Sequence, residues 1–216
     1  MSVCSDPIPR LHILLSETEL EGSGLGWATE ILETGSSIAV HLRARLEGRP
    51  LSGVATTLAR RAAANGNWCV VNDRVDVAMA TRSQAVQLGR ASLCVEDVVR
   101  LRGPTPGLRI GASVHGVEEA VSAAGSGADY LVLGTIYSTS SHPGRPGSGP
   151  AAIAAVRSAV HVPVLAIGGI SRARVAAVVK QGAGGIVVSR AVCEAPDPLR
   201  AAHDLEDALA QAMDRR

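Results

Sequence analysis

Short apolar segments alternate with amphipathic segments along almost the whole chain. The apolar segments are continuous and mostly β-branched, which is the pattern of parallel strands that are covered on both faces. The segments between them repeat apolar residues every three or four positions, as one face of a helix does. The pattern predicts eight strands, at residues 11–15, 37–43, 68–73, 85–89, 108–114, 130–136, 162–169 and 185–190.

The predicted helices fill the intervals between these strands and the C-terminal end. They cover residues 51–66, 95–102, 116–127, 148–160, 171–184 and 197–213, while 74–84 leaves room for about two turns. With a helix counted in each of the seven intervals, including 16–36 and 74–84, and a closing one, the eight strands predict an α/β fold, a single (β/α)₈ TIM barrel over residues 1–216 with an N-terminal extension at 1–10. A doubly wound open sheet is the alternative. Such a sheet usually has a Gly-rich turn after its first strand, where this chain reads SETELEGSG.

Composition excludes several classes of function. Hydrophobic residues make up 46% of the chain and aromatic residues 2%, which suits an aliphatic barrel core and argues against a stacking platform for nucleic acid. A formal net charge of +1 gives no electrostatic attraction to nucleic acid or to an acidic membrane. The sequence has no apolar run of a membrane span or signal peptide, and its four cysteines form no C-x-x-C pair. We therefore expect a cytoplasmic protein without disulfides or structural zinc, and composition indicates no particular oligomeric state.

The sharpest chemical signal lies at the ends of the last two predicted strands. AIGGI ends strand seven in Gly168 and Gly169, and VVSR ends strand eight in Ser189. Glycines let backbone N–H groups approach a phosphate, and the helix expected to start with Ser171 as N-cap adds a favourable partial charge. Barrels commonly bind phosphate at the loops after these two strands. The pattern predicts a phosphate site here, with a simple tight turn as the alternative.

Charged and polar residues end strands two and three. Strand alternation places His41, Arg43 and Arg45 on one side of the chain, as three potential cations that suit an anionic substrate. Asn72 and Asp73 close strand three, where a barrel carboxylate is often catalytic or binds a metal. The alternatives are a solvated arginine loop in the first case and a helix cap in the second.

The long polar loop at 138–149 follows strand six. Loops of this length inside compact domains are often functional lids, so we expect this one to be mobile. Its hydroxyl groups, His142 and Arg145 could close over an anion, and a mere flexible connection is the alternative.

The remaining candidates are one serine and several histidines. Ser113 at the end of strand five can point into the barrel mouth, whereas His115 is expected to cap the following helix. His12, His161 and His203 stand at positions without convergent partners, and we assign them structural roles.

Taken as an ordered set, VHLRAR, VVNDRVDVAM, GASVHGVEEA, GADYLVLGTIYST and PVLAIGGI resemble the thiamine phosphate synthase and thiazole tautomerase family, over residues 11 to 195. The resemblance implies a barrel that acts on small phosphorylated heterocycles in thiamine biosynthesis. Synthases join hydroxymethylpyrimidine diphosphate to thiazole phosphate and release pyrophosphate with Mg²⁺. The diphosphate leaves first, and the thiazole nitrogen captures the pyrimidine carbocation. Tautomerases instead shift a proton within thiazole phosphate, which requires an acid/base group rather than a metal.

The resemblance also implies roles for individual residues. The implied catalytic residues are Arg43, Asn72, Asp73 and Ser113, with Asp73 also a Mg²⁺ ligand. The implied substrate and pyrophosphate contacts are His41, Arg43, Arg45, Thr139, Ser141 and His142. The implied phosphate-binding residues are Ile167, Gly168, Gly169 and Ser189.

Five positions depart from the family pattern. Ser92 stands where synthases have the acidic residue that completes the metal site, which predicts weaker Mg²⁺ binding. His41, Arg45 and His142 replace a glutamine and two lysines of the synthases, and Thr135 replaces the tautomerase histidine. We expect a synthase-like transferase. The alternatives are a tautomerase, with His41 or His142 as proton carrier, and a catalytically silent barrel that binds thiazole phosphate.

Overall fold

Eight parallel strands close into one barrel in the computed structural model, which describes residues 7–22, 24–34, 37–43, 49–103, 107–139, 144 and 146–215. Each strand pairs with its neighbours in the sequence, and the last pairs with the first. The TIM-barrel prediction is therefore confirmed. The strands are β1 Leu11–Ser16, β2 Ile38–Arg43, β3 Trp68–Asn72, β4 Ala85–Leu88, β5 Arg109–Val114, β6 Tyr130–Leu133, β7 Val164–Ile167 and β8 Gly185–Val188.

Helices follow the strands at each of the predicted intervals. They are α1 Glu17–Glu21, α2 Gly24–Ile31, α3 Arg49–Ala64, α4 Val75–Ala80, α5 Val95–Arg102, α6 Val117–Gly125, α7 Ala151–Ala159, a 3₁₀ helix Arg172–Arg174, α8 Val175–Lys180, α9 Arg190–Cys193 and α10 Pro198–Asp214. The start of α10 shows how the sequence sets a boundary. The Asp197 side chain accepts a hydrogen bond from the Arg200 N–H at 3.0 Å, and Pro198 occupies the first turn. Among the described helices, none is long and apolar enough to cross a membrane.

Alternation along the strands divides the core into two parts. Outward-facing side chains pack beneath the helices, and inward-facing ones fill the barrel. The buried inner cluster consists of Ala39, Trp68, Val70, Ala85, Tyr130, Val132, Leu165 and Val187. Although aliphatic residues dominate, the Trp68 and Tyr130 rings supply bulk at the centre, with their centroids 6.4 Å apart. The lower part of the barrel is therefore a packed core, so a functional site must lie at the upper end, where the strands have their C-terminal ends.

The sixth strand is shorter than the sequence pattern predicts. It ends at Leu133, after which the chain crosses the end of β7 instead of continuing the ladder. The Ile136 N–H donates to the Ile167 carbonyl at 2.9 Å, and the Tyr137 N–H donates to the Gly168 carbonyl at 3.1 Å. The segment after β6 is consequently held over the loop after β7.

We expect Gly111→Ala to destabilise the barrel interior. A Cβ at this position would lie 2.3 Å from Gln87 Oε1 and 2.3 Å from Tyr130 Cζ. Because Tyr130 is fully buried and its ring cannot withdraw, the overlap should lower the free energy of unfolding by about 1–3 kcal/mol. Chemical denaturation of the purified variant measures this change.

Gly53→Ala is the matched control. Gly53 lies in α3, and a Cβ there meets no atom within 4 Å. Helix propensity should make this variant more stable by about 0.5–1 kcal/mol. Equal stability of Gly111→Ala and the unmodified protein would contradict the packing described here.

Candidate active site

A cavity of about 410 Å³ opens at the C-terminal ends of the strands. It brings together predicted site residues from four strands, and its other polar lining comes from β4 and the loops after β4 and β5. The predicted residues that line it are His41, Arg43, Asn72, Asp73, Ser113 and Ile167. The further polar or charged lining residues are Gln87, Arg90 and His115.

Asp73 is held by the loop that follows β4. Its Oδ1 atom accepts hydrogen bonds from the Gly89 N–H at 3.2 Å and from the Ser92 hydroxyl. The Gly89 N–H also donates to Ser92 Oγ at 2.7 Å. Asp73 has a φ of 64°, a conformation that only a few side chains such as Asp tolerate. The Asp73 carboxylate thus lies beside Ser92. By the resemblance, Ser92 is the residue that stands where synthases have a second acidic group.

Neither polar side chain at the end of β3 caps the following helix. Asn72 bonds to His41, Asp73 bonds to Ser92 and Gly89, and the start of α4 has no side-chain capping bond. The alternative explanation of this pair as a helix cap is therefore wrong.

The cations at the cavity differ from the three that the sequence pattern suggests. Arg43 is exposed at the end of β2, and Arg90 lies 3.7 Å from the Glu119 carboxylate in an exposed ion pair. His41 is not a cation, because burial lowers its pKa to about 4 and leaves it neutral at neutral pH. Arg45 lies outside the described residues.

His12 has a partner that sequence reasoning missed. Its Nδ1 atom lies 2.7 Å from His41 Nε2, and its Nε2 atom lies 3.0 Å from the Pro9 carbonyl oxygen. The expectation that His12 has no convergent partner is therefore wrong. Strand alternation carried the signal, since His12 and Leu14 share the inward face of β1 and Leu14 pairs in register with His41.

Gln87 is a second residue that the sequence analysis left out. It pairs in register with Asn72 on one side and Gly111 on the other, and its Nε2 donates to Ser113 Oγ at 3.0 Å. Its Oε1 atom is buried and has no hydrogen-bond partner in the described part of the chain. The available signal was a glutamine within the otherwise apolar AVQL strand.

His115 bonds to the side chain of Glu119 on α6, the helix that follows β5. Its backbone N–H and its Nδ1 atom lie 2.8 and 3.0 Å from Glu119 Oε2. The hydrogen bond from the His115 side chain holds the pKa of the Glu119 carboxyl below its ordinary value.

The two glycines after β7 form a turn that packs against the segment after β6. Gly168 and Gly169 have φ values of 102° and 62°, and a Cβ on Gly168 would lie 2.5 Å from Thr135 Cγ2. Within the described residues, neither glycine N–H donates a hydrogen bond. Arg174 donates to the Gly169 carbonyl at 2.6 Å and stacks over the Tyr137 ring at 4.4 Å. Arg174 therefore holds the turn through a carbonyl group, while the N–H groups of Gly168 and Gly169 have no acceptor among the described residues.

Other expectations at this end of the barrel have mixed outcomes. Ser171 occupies the N-cap position of the 3₁₀ helix, but its side chain makes no capping bond. Ser189 is half-buried, with its hydroxyl 4.0 Å from Cys193 Sγ. Thr139 Oγ1 is buried without a partner among the described residues. Ser141, His142 and Arg145 lie outside the described residues, as does part of the expected lid.

Comparison with known proteins supplies the family. The thiamine monophosphate synthase family profile matches residues 12–192. A thiamine-phosphate synthase of Methanoculleus marisnigri is 38% identical over 94% of this chain and 96% of its own length. One from Roseiflexus sp. is 35% identical over 100% of this chain and 94% of its own. The solved thiamine phosphate pyrophosphorylase of Pyrococcus furiosus superposes with a TM-score of 0.83 at 31% identity, over 94% and 96% of the two chains. The chain belongs to the thiamine monophosphate synthase family.

Proposed function

We propose that the chain joins hydroxymethylpyrimidine diphosphate to thiazole phosphate and releases pyrophosphate. The observation that carries this proposal is a carboxylate fixed by its neighbours in the same cavity as an exposed arginine. Asp73 is held by Ser92 and Gly89, and Arg43 lines the same space. A diphosphate leaving group needs cationic partners, and a carboxylate beside it suits a divalent cation.

The bond changes follow from the substrates. The C–O bond between the pyrimidine methylene and the diphosphate breaks, and its electron pair leaves with the diphosphate. The thiazole nitrogen then donates its lone pair to the cationic carbon and forms the new C–N bond. Arg43 stabilises the negative charge that develops on the departing oxygen, which is the kind of electrostatic assistance that lowers such barriers.

The residues present fit a Mg²⁺ ion that arrives with the diphosphate. Among the described residues, no cluster of three His, Cys, Asp or Glu side chains forms a metal site. Mg²⁺ is commonly held by one or two carboxylates together with substrate phosphates and water, and Asp73 with the adjacent Ser92 hydroxyl offers such a partial set. When bound, the ion would neutralise charge on the leaving diphosphate.

Thiazole phosphate is proposed to bind at the ends of β7 and β8. The N–H groups of Gly168 and Gly169 lack acceptors among the described residues, and Ile167 lines the cavity directly before them. Two adjacent N–H groups at a glycine turn are suitable donors to a phosphate. Ser189 at the end of β8 supplies a hydroxyl for the same phosphate.

The tautomerase alternative receives less support from the site. His41, one of the two proton carriers considered for it, bonds through both ring nitrogens to His12 and Asn72. A proton carrier needs a nitrogen that can reach the substrate. Thr135 in place of the tautomerase histidine has no acid/base group of suitable pKa.

Purified protein supplied with both precursors and Mg²⁺ should release pyrophosphate, and EDTA should stop the release. A coupled pyrophosphate assay measures both conditions, with each precursor omitted in turn as a control. Interconversion of thiazole isomers without pyrophosphate would instead indicate a tautomerase, and binding of thiazole phosphate without any turnover would indicate a silent binder.

We expect Asp73→Asn to lower kcat/KM on the order of 100-fold, because the charge that attracts the cation is removed. The residual rate should be the same with Mg²⁺ as with EDTA. Asp76→Asn is the matched control, since Asp76 is an exposed carboxylate on α4 that pairs with Arg74 at 2.6 Å outside the cavity lining. If Asp73→Asn keeps a normal Mg²⁺ response, Asp73 is not the metal ligand.

Ser92→Asp should strengthen Mg²⁺ binding. The new carboxylate would stand beside Asp73, whose Oδ1 already contacts the Ser92 hydroxyl. A second anionic ligand should lower the Mg²⁺ concentration for half-maximal activity by about tenfold. Ser122→Asp, which adds the same charge on the exposed side of α6, serves as control. An unchanged Mg²⁺ requirement in Ser92→Asp would contradict this placement of the ion.

A further inference from the structure

A row of polar groups runs through the barrel interior from Pro9 to Asn72. His12 Nε2 lies 3.0 Å from the Pro9 carbonyl oxygen, and His12 Nδ1 lies 2.7 Å from His41 Nε2. His41 Nδ1 lies 3.2 Å from Asn72 Oδ1. The two histidines are 0% and 1% exposed, so both rings depend on one another and on these neighbours for hydrogen bonds.

The Pro9 carbonyl fixes the direction of the hydrogen bonds. A carbonyl oxygen only accepts, so His12 Nε2 carries a proton and donates a hydrogen bond to it. In a neutral ring the other nitrogen is then bare, and His12 Nδ1 accepts from the Nε2–H of His41. His41 Nδ1 is bare for the same reason. A bare nitrogen cannot bond to the amide oxygen that lies beside it, so the Asn72 carboxamide must be turned end for end, with its NH₂ toward His41. The two ends of a carboxamide are assigned from the hydrogen-bond network in this way.

The opposite direction would require a charged ring. If His41 donated to Asn72, His41 Nε2 would be bare, and His12 would need protons on both nitrogens. Burial keeps the pKa of His12 well below its ordinary value, and that of His41 at about 4. Among the described residues, no carboxylate bonds to either ring, and the Tyr130 ring beside His12, 5.6 Å away, is itself neutral because burial raises its pKa.

We propose that His12 and His41 form a neutral hydrogen-bond relay that orients Asn72, so that its amide oxygen faces the substrate cavity as an acceptor. His12 and His41 are then positioning residues for the proposed synthase reaction, on which this functional part of the inference rests. The relay spans from the floor of the barrel to its mouth, and Asn72 is the member next to Asp73. The relay gives Asn72 one orientation instead of two equivalent ones.

Nuclear magnetic resonance of the protein labelled with ¹⁵N at histidine tests the relay without any substrate. Long-range ¹H–¹⁵N correlations distinguish the Nε2–H tautomer, the Nδ1–H tautomer and the imidazolium. At neutral pH we expect the Nε2–H tautomer for both His12 and His41, with the exposed His161 as an internal reference. An imidazolium or an Nδ1–H tautomer at either ring would overturn the proposal.

Asn72→Asp tests the donor at the end of the relay. A carboxylate cannot donate, so His41 should acquire a proton on Nδ1, visible as a change in its ring nitrogen shifts. An unchanged His41 spectrum in this variant would show that Asn72 does not donate to it, and would overturn the proposed orientation.

Two substitutions of His41 separate hydrogen bonding from packing. A glutamine can donate with one end and accept with the other, so His41→Gln should preserve the relay, whereas His41→Leu should break it. We expect His41→Leu to lower kcat by at least about tenfold with a smaller change in KM for thiazole phosphate, and His41→Gln to restore most of kcat. His161→Gln should match the unmodified enzyme. Equal losses in the glutamine and leucine variants, both confirmed as folded, would overturn the positioning role.

The nuclear magnetic resonance and the kinetic measurements distinguish a failure of the relay from a failure of the proposed function. If the unmodified protein lacked synthase activity, the proposed function would fail, while the tautomer spectra and the Asn72→Asp response would still decide whether the relay exists.

Discussion

The pairing register of β2, β3 and β4 is the constraint on which the rest of the site depends. It pairs His41 with Val70 and Asn72 with Gln87, and it leaves Asp73 beyond the ladder, where its N–H still donates to the Gln87 carbonyl at 2.9 Å. Because strand side chains alternate, a slip of one residue would turn these groups toward the helices. The register therefore brings together the buried polar interior and the carboxylate at the mouth.

Burial divides the site into a neutral lower part and a charged upper part. Burial lowers the pKa of His12 and of His41, so neither ring ionises near neutral pH. The two rings bond to one another, and His41 also bonds to Asn72. The charges at the cavity are carried by exposed residues at or just after the strand ends, namely Arg43, Asp73 and Arg90. Such an arrangement suits charge neutralisation on a departing diphosphate better than proton transfer, which needs a group that titrates near neutral pH.

The sequence was sufficient for the fold and for part of the cavity lining, for identifiable physical reasons. Continuous apolar runs locate parallel strands well, but β6 ends early because the chain after Leu133 crosses β7, a tertiary contact that no local pattern reports. Arg43, Asn72 and Asp73 were predicted to lie together because strand ends converge in a barrel, and all three line the cavity. His12 was missed because its partner lies on a neighbouring strand, and the charge of His41 depends on a burial that only the closed barrel reveals.

The central claim is that this cavity joins two heterocycles. Direct detection of thiamine phosphate by mass spectrometry, after mixing the protein with both precursors and Mg²⁺, tests it most simply. The account predicts thiamine phosphate in equal amounts with pyrophosphate. The absence of thiamine phosphate, with folded protein and bound thiazole phosphate, would contradict it.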